Sequence, residues 1–143
     1  MINRLIKSPI TLVIALYLAG FQSAYAETKM IRCLYVSDSD AQIDLIFDLA
    51  KNTAEVRTKV IGKKHTYAAE VQEFPTTLRF TWNQDPLVPG TNSYDKITLD
   101  VDRSTLNASR SKMEVGGVLS GHVYASSSYT CTVEKAPKVK NKI

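Results

Sequence analysis

Gln42-Ile43-Asp44-Leu45-Ile46-Phe47-Asp48-Leu49 and, beyond Lys51-Asn52, Ala54-Glu55-Val56-Arg57-Thr58-Lys59-Val60-Ile61 decide the fold class. In the first stretch Ile43, Leu45, Phe47 and Leu49 fall on one side, and Gln42, Asp44 and Asp48 on the other. In the second, Ala54, Val56, Thr58 and Val60 oppose Glu55, Arg57 and Lys59. A period of two is that of a strand with one buried and one wet face.

The same alternation recurs outward in both directions, at Ile31-Cys33-Tyr35, Leu78-Phe80-Trp82, Ile97-Leu99-Val101 and Tyr129-Cys131-Val133. Turn formers separate the runs: Ser37-Asp38-Ser39-Asp40, Lys51-Asn52, Gly62-Lys63-Lys64, Asp102-Arg103-Ser104 and Gly116-Gly117. The pattern predicts about eight strands, near 30–36, 42–49, 54–61, 66–74, 77–82, 95–102, 105–111 and 118–134, the last divisible into two. Tyr67 to Phe74 is ambiguous, since its alanines and glutamates also suit a short helix. Short strands at this spacing imply an all-β antiparallel meander closing into a small barrel or sandwich. Closure would remove the exposed edges that invite aggregation.

The first 26 residues have the layout of a cleavable secretory signal. Arg4 and Lys7 precede an apolar run from Ile10 to Leu18, and Ala24-Tyr25-Ala26 offers small residues where a signal peptidase reads. The run is too short to span a hydrocarbon core of about 30 Å. Phe21, not a cysteine, follows Leu18-Ala19-Gly20, so no lipid attachment is expected there. The expected product is an exported, soluble domain of residues 27–134, without a membrane span and followed by a basic tail, residues 135–143.

The formal charge of +4 invites a nucleic-acid reading, which its distribution removes. Of 18 basic residues, Arg4 and Lys7 belong to the leader and Lys135, Lys138, Lys140 and Lys142 to the tail. The 12 that remain face 14 acidic residues, a net of −2. A nucleic-acid binder carries its basic excess on the folded surface. The tail, with Pro137 among its lysines, is expected to be disordered.

Two cysteines, Cys33 and Cys131, lie near the two ends of the exported chain. In an oxidising compartment an even count predicts a disulfide. If the first and last strands are neighbours, the pair can bond across the seam. Closing a loop of about 100 residues stabilises by up to about 4.7 kcal/mol in the chain-entropy account. A metal site is not expected, because His65 and His122 stand in different segments and no C-x-x-C occurs. No cofactor is expected either.

No serine lies in a Gly-x-Ser-x-Gly elbow. His122, in Ser120-Gly121-His122-Val123-Tyr124, has no evident nucleophile or orienting acid. Asp100 and Asp102 fall on one strand face, but Asp102 opens Asp102-Arg103-Ser104-Thr105, where an aspartate caps a turn. Trp82 and Phe80 belong to the apolar face. No catalytic residue is assigned, and the chain is expected not to be an enzyme.

The longest connection, Asn83 to Ser93, holds Pro86 and Pro89 and sets Leu87 and Val88 between them. Long loops on rigid β scaffolds are often functional, so Leu87 and Val88 are candidate binding residues.

An export signal, an early cysteine, a β-meander and a late Tyr129-Thr130-Cys131 together resemble small periplasmic β-barrel proteins, among them the C-type lysozyme inhibitors. Ser120-Gly121-His122-Val123-Tyr124 is similar to the Ser-Gly-x-x-Tyr that such inhibitors present to lysozyme. The resemblance implies an inhibitor role for Ser120 and Tyr124. The chain departs from the pattern in lacking a following Trp-x-Lys-Gly segment. The expected function is a non-enzymatic binding module of the cell envelope, recognising a protein or another envelope component. The alternatives are an inhibitor of an extracellular hydrolase and a carrier of a small apolar ligand.

Overall fold

The computed structural model of the chain describes residues 27–84, 92–117 and 120–138. Eight strands follow one another: β1 (Lys29–Tyr35), β2 (Asp38–Asp48), β3 (Thr53–Val60), β4 (Lys63–Glu73), β5 (Thr77–Gln84), β6 (Tyr94–Asp102), β7 (Asn107–Val115) and β8 (Val123–Glu134). Each pairs antiparallel with the next, and β8 pairs back onto β1, which closes the barrel. The expected all-β meander is what forms, and it is a barrel, not a sandwich.

The alternating residues place themselves as their period requires. Leu45, Val56, Val71, Phe80, Ile97, Leu99, Val101 and Cys33 point inward and are fully buried. Together with their buried neighbours they form one continuous hydrophobic cluster that occupies the middle of the barrel. Phe47 and Phe80 meet edge to face at 5.2 Å between ring centres, an arrangement that aligns ring edge with ring face. The ambiguous Tyr67–Phe74 stretch is strand: Ala69 and Val71 are buried in β4, and Ala68, Glu70 and Gln72 face out. Tertiary pairing on both sides overrides the helical preference of its alanines and glutamates.

Cys33 and Cys131 are register partners in the β1–β8 ladder and form a disulfide, with Cα atoms 4.0 Å apart. Against the outer wall, Arg32 grips Asp44 through Nε (2.8 Å) and Nη2 (3.2 Å), and Arg79 grips Asp100 in the same way at 2.8 and 3.1 Å. Both pairs cross adjacent strands. The Arg79–Asp100 pair is the more exposed of the two and is worth about 1 kcal/mol or less, while Asp44 is largely covered.

Several strand limits differ from the sequence expectation, and β2 begins at Asp38, inside the expected Ser37–Asp40 turn. The residues near 118–134 make one strand from Val123, preceded by a turn at 120–121. β7 runs on to Val115, because β6 supplies partners as far as Tyr94. The β3–β4 turn is Ile61-Gly62, with strand resuming at Lys63. Both turn residues have positive φ, 50° and 73°, as a two-residue hairpin link of this hand requires.

The up-and-down order sorts the links onto two ends. Links 49–52, 74–76 and 103–106 share one end with both termini of the barrel, here called the turn end. Links 36–37, 61–62, 85–93 and 116–122 share the other, the loop end. Residues 1–26, 85–91, 118–119 and 139–143 lie outside the described residues, and with them the expected signal, Leu87, Val88 and the last of the expected tail.

Candidate functional site

The loop end gathers the chemistry. Both stretches singled out in the sequence, the Asn83–Ser93 connection and Ser120–Tyr124, belong to links at this end. Leu87 and Val88 are outside the described residues, but the connection leaves β5 at Gln84 and enters β6 at Tyr94. Tyr94 is the register partner of Val115, beside the other link. A Cβ added to Gly116 would sit 3.0 Å from the Asn92 carbonyl oxygen. The two loops therefore touch backbone to backbone.

The 116–122 link is held by its own hydrogen bonds. Gly116 N donates to Ser120 Oγ at 3.2 Å, Ser120 N to Gly117 O at 3.1 Å, and Gly121 N to Glu114 O at 2.8 Å. Gly116 and Gly121 have φ of 86° and 84°, a region open to glycine at little cost. Ser120 is exposed, though its hydroxyl oxygen already accepts one bond. Tyr124 is exposed as well. His122 lies edge-on to Tyr124 at 4.8 Å between ring centres. His65 is exposed, stacks on Tyr67 at 6.3 Å between ring centres, and lies in β4, not in the turn.

Inside the mouth the wall turns polar, which the alternation did not reveal. Lys112 Nζ lies 3.4 Å from Asp95 Oδ2 and 4.8 Å from the centre of the Tyr124 ring. Asp95 is the one buried charged residue among the described residues, and a buried carboxylate needs a paired cation. One turn deeper, burial raises the Tyr129 hydroxyl pKa, while the Arg110 guanidinium opposes the rise by charge and hydrogen bond. Tyr35 leans on Tyr129 at 5.4 Å. The signal in the sequence was the pair Arg110 and Lys112, two cations at the inward spacing of β7 after Ala108.

The barrel wall also parts at this end. The β4–β5 ladder has four registered pairs, from Glu73↔Leu78 to Glu70↔Thr81, where β3–β4 and β5–β6 have eight each. Toward the loop end no registered pair continues. A cleft of about 450 Å³ opens there, lined by Ala68, Glu70, Thr81, Trp82, Asn83 and Lys96 among others. The buried Trp82 indole N–H has no hydrogen-bond partner among the described residues. An orphaned buried donor costs about 1–3 kcal/mol.

Away from this end the acidic residues serve the fold. Asp102 Oδ1 accepts from Ser104 N (2.8 Å), Thr105 N (2.9 Å) and Ser104 Oγ (2.7 Å), and Asp100 holds Arg79. The turn-capping expectation for Asp102 is the observed arrangement. Among the described residues, no three His, Cys, Asp or Glu side chains cluster as metal ligands, and no helix is long and apolar enough to cross a membrane. No protein-family model, curated protein or solved structure matches the chain.

Proposed function

We propose that the chain is an exported, non-catalytic binding module of the cell envelope, and that its working surface is the loop end of the barrel. One observation carries this reading. Of nine large apolar residues exposed among the described residues, seven (Leu34, Val36, Val60, Ile61, Tyr94, Val123 and Tyr124) lie in or within two residues of loop-end links. Single exposed apolar residues need no explanation, but their gathering on one face marks an interaction surface. Gln84 and Tyr94, between which Leu87 and Val88 fall in sequence, are at the same end.

The test is capture from an envelope extract with the wild-type protein, a Leu87→Ser/Val88→Ser variant and a Tyr124→Ala variant, each with a melting curve. Lost capture with unchanged melting supports the reading. Capture that survives both, yet fails on Phe74→Ser at the turn end, overturns it.

A second reading, inhibition of an extracellular hydrolase, is favoured by the shared exposure of Ser120 and Tyr124 at this end. It is tested by residual lytic activity of a C-type lysozyme mixed with the protein. The carrier reading fares worse, since the protein's own buried apolar cluster occupies the middle of the barrel.

A further inference from the structure

The tip of the β3–β4 hairpin carries features that the fold does not use. Ile61 is 88% exposed and Val60 50%. Ile61 takes φ 50° at the first position of the two-residue link, where asparagine or glycine is the favoured residue and a β-branched side chain is strained. The strain is not offset by burial, because the side chain stands almost wholly in solvent. Just behind the tip, Lys59 and Lys64 are register partners, and Lys63 partners Val60. Like charges placed directly opposite each other destabilise a hairpin. Arg57 is held by Glu55, whereas Lys59, Lys63 and Lys64 have no ion pair among the described residues. A sequence selected for the hairpin alone would have neither feature.

We propose that this tip docks the barrel on an anionic lipid surface, Ile61 and Val60 entering the interface and Lys59, Lys63 and Lys64 meeting the phosphates. The order along the barrel axis matches that of a bilayer face: Ile61 is outermost, Val60 and Lys63 share the next level, and Lys59 and Lys64 the one behind. Such layering is what interfacial elements share, apolar burial supplemented by attraction to acidic headgroups. Val36, Tyr94, Val123 and Tyr124 surround the same end, and tyrosine favours the headgroup level. The inference rests on the loop end being the binding surface and names what it meets.

The experiment is flotation of the protein with vesicles of phosphatidylcholine mixed with phosphatidylglycerol, against phosphatidylcholine alone, at low and high salt. Binding is expected to the anionic vesicles only and to weaken with salt, as screening requires. Lys59→Gln, Lys63→Gln and Lys64→Gln together should lower affinity on the order of a hundredfold, since one lysine near such a surface contributes about fivefold. Ile61→Asn should also weaken binding, while its melting temperature stays level or rises because asparagine accepts the backbone. A control with Lys135, Lys138, Lys140 and Lys142 changed to Gln removes the charges that follow β8, whose last residue Glu134 lies at the opposite end, and should bind as wild type.

The proposal is overturned if wild type ignores anionic vesicles, if the two tip variants bind undiminished, or if the tail variant alone abolishes binding. Should wild type ignore vesicles while Ile61→Asn loses an envelope protein in the capture assay, the tip meets protein instead; the lipid proposal then fails and the loop-end reading stands.

Discussion

Cys33 and Cys131 face each other as register partners in the ladder that, among the described residues, joins the first strand to the last, β1 with β8. Every other ladder joins neighbours in sequence. The disulfide thus pins the one contact whose closure requires the whole chain to turn back on itself, across a sequence separation of 98. In the unfolded chain that constraint removes the largest loop entropy available to this protein. Cys33→Ser should cost up to about 4.7 kcal/mol, a large part of the stability of a domain this size. Melting with and without reductant checks it: wild type with reductant should approach the variant, which should itself be insensitive to reductant.

Phe80 and Arg79 are adjacent in β5 and point to opposite faces. Phe80 is wholly buried against Phe47. Phe80→Ala should destabilise by about 3–5 kcal/mol, the transfer loss plus the cavity left in a filled interior. Arg79→Ala removes a solvated pair with Asp100 and should cost about 1 kcal/mol or less. Urea unfolding of both variants measures the contrast, and equal costs would contradict a packed middle.

Asp102 sets an acid limb of stability. Hydrogen bonds from the Thr105 backbone, then from the Ser104 side chain and backbone, lower its carboxyl pKa to about 2 from 3.8. Because the folded value is the lower one, the cap contributes fully above the unfolded value. The contribution is lost as pH falls through the folded value, between about 4 and about 2. Asp102→Asn should therefore be less stable than wild type at neutral pH, with the difference closing across that window. Melting temperatures of both proteins on a pH series read it directly.

The fold was legible where the interior is apolar. Ile43-Leu45-Phe47 and Ile97-Leu99-Val101 alternate cleanly because each inward position meets other hydrocarbon. At the loop end the inward positions are Asp95, Arg110 and Lys112, so the alternation fades and β7 looked shorter than it is. Ile61 looked like the end of a strand, since an isoleucine at positive φ is what propensity argues against. Its exposure follows from register alone: Val60 pairs with Lys63, which leaves two residues to make the turn. The meeting of the two loop-end stretches was equally out of reach, because alternation reports which face a residue takes and says nothing of which links share an end. That follows from the count and order of the strands.

The contact between those two links gives the last prediction. Gly116 and Gly121 both adopt left-handed φ, so alanine at either carries the same backbone cost of about 1–2 kcal/mol. Their surroundings differ. Around Gly121 a Cβ would meet open space, whereas at Gly116 it would press on Asn92 O at 3.0 Å and Ser93 Cα at 3.6 Å. Gly116→Ala must therefore push the 85–93 connection away from the 116–122 link, and Gly121→Ala need not. Gly116→Ala should be the less stable variant by more than the shared backbone cost, as read by urea unfolding. If the two links act as one surface, it should also weaken envelope capture, while Gly121→Ala retains it. Equal stability and equal capture for the two variants would mean that the links, though adjacent, work independently.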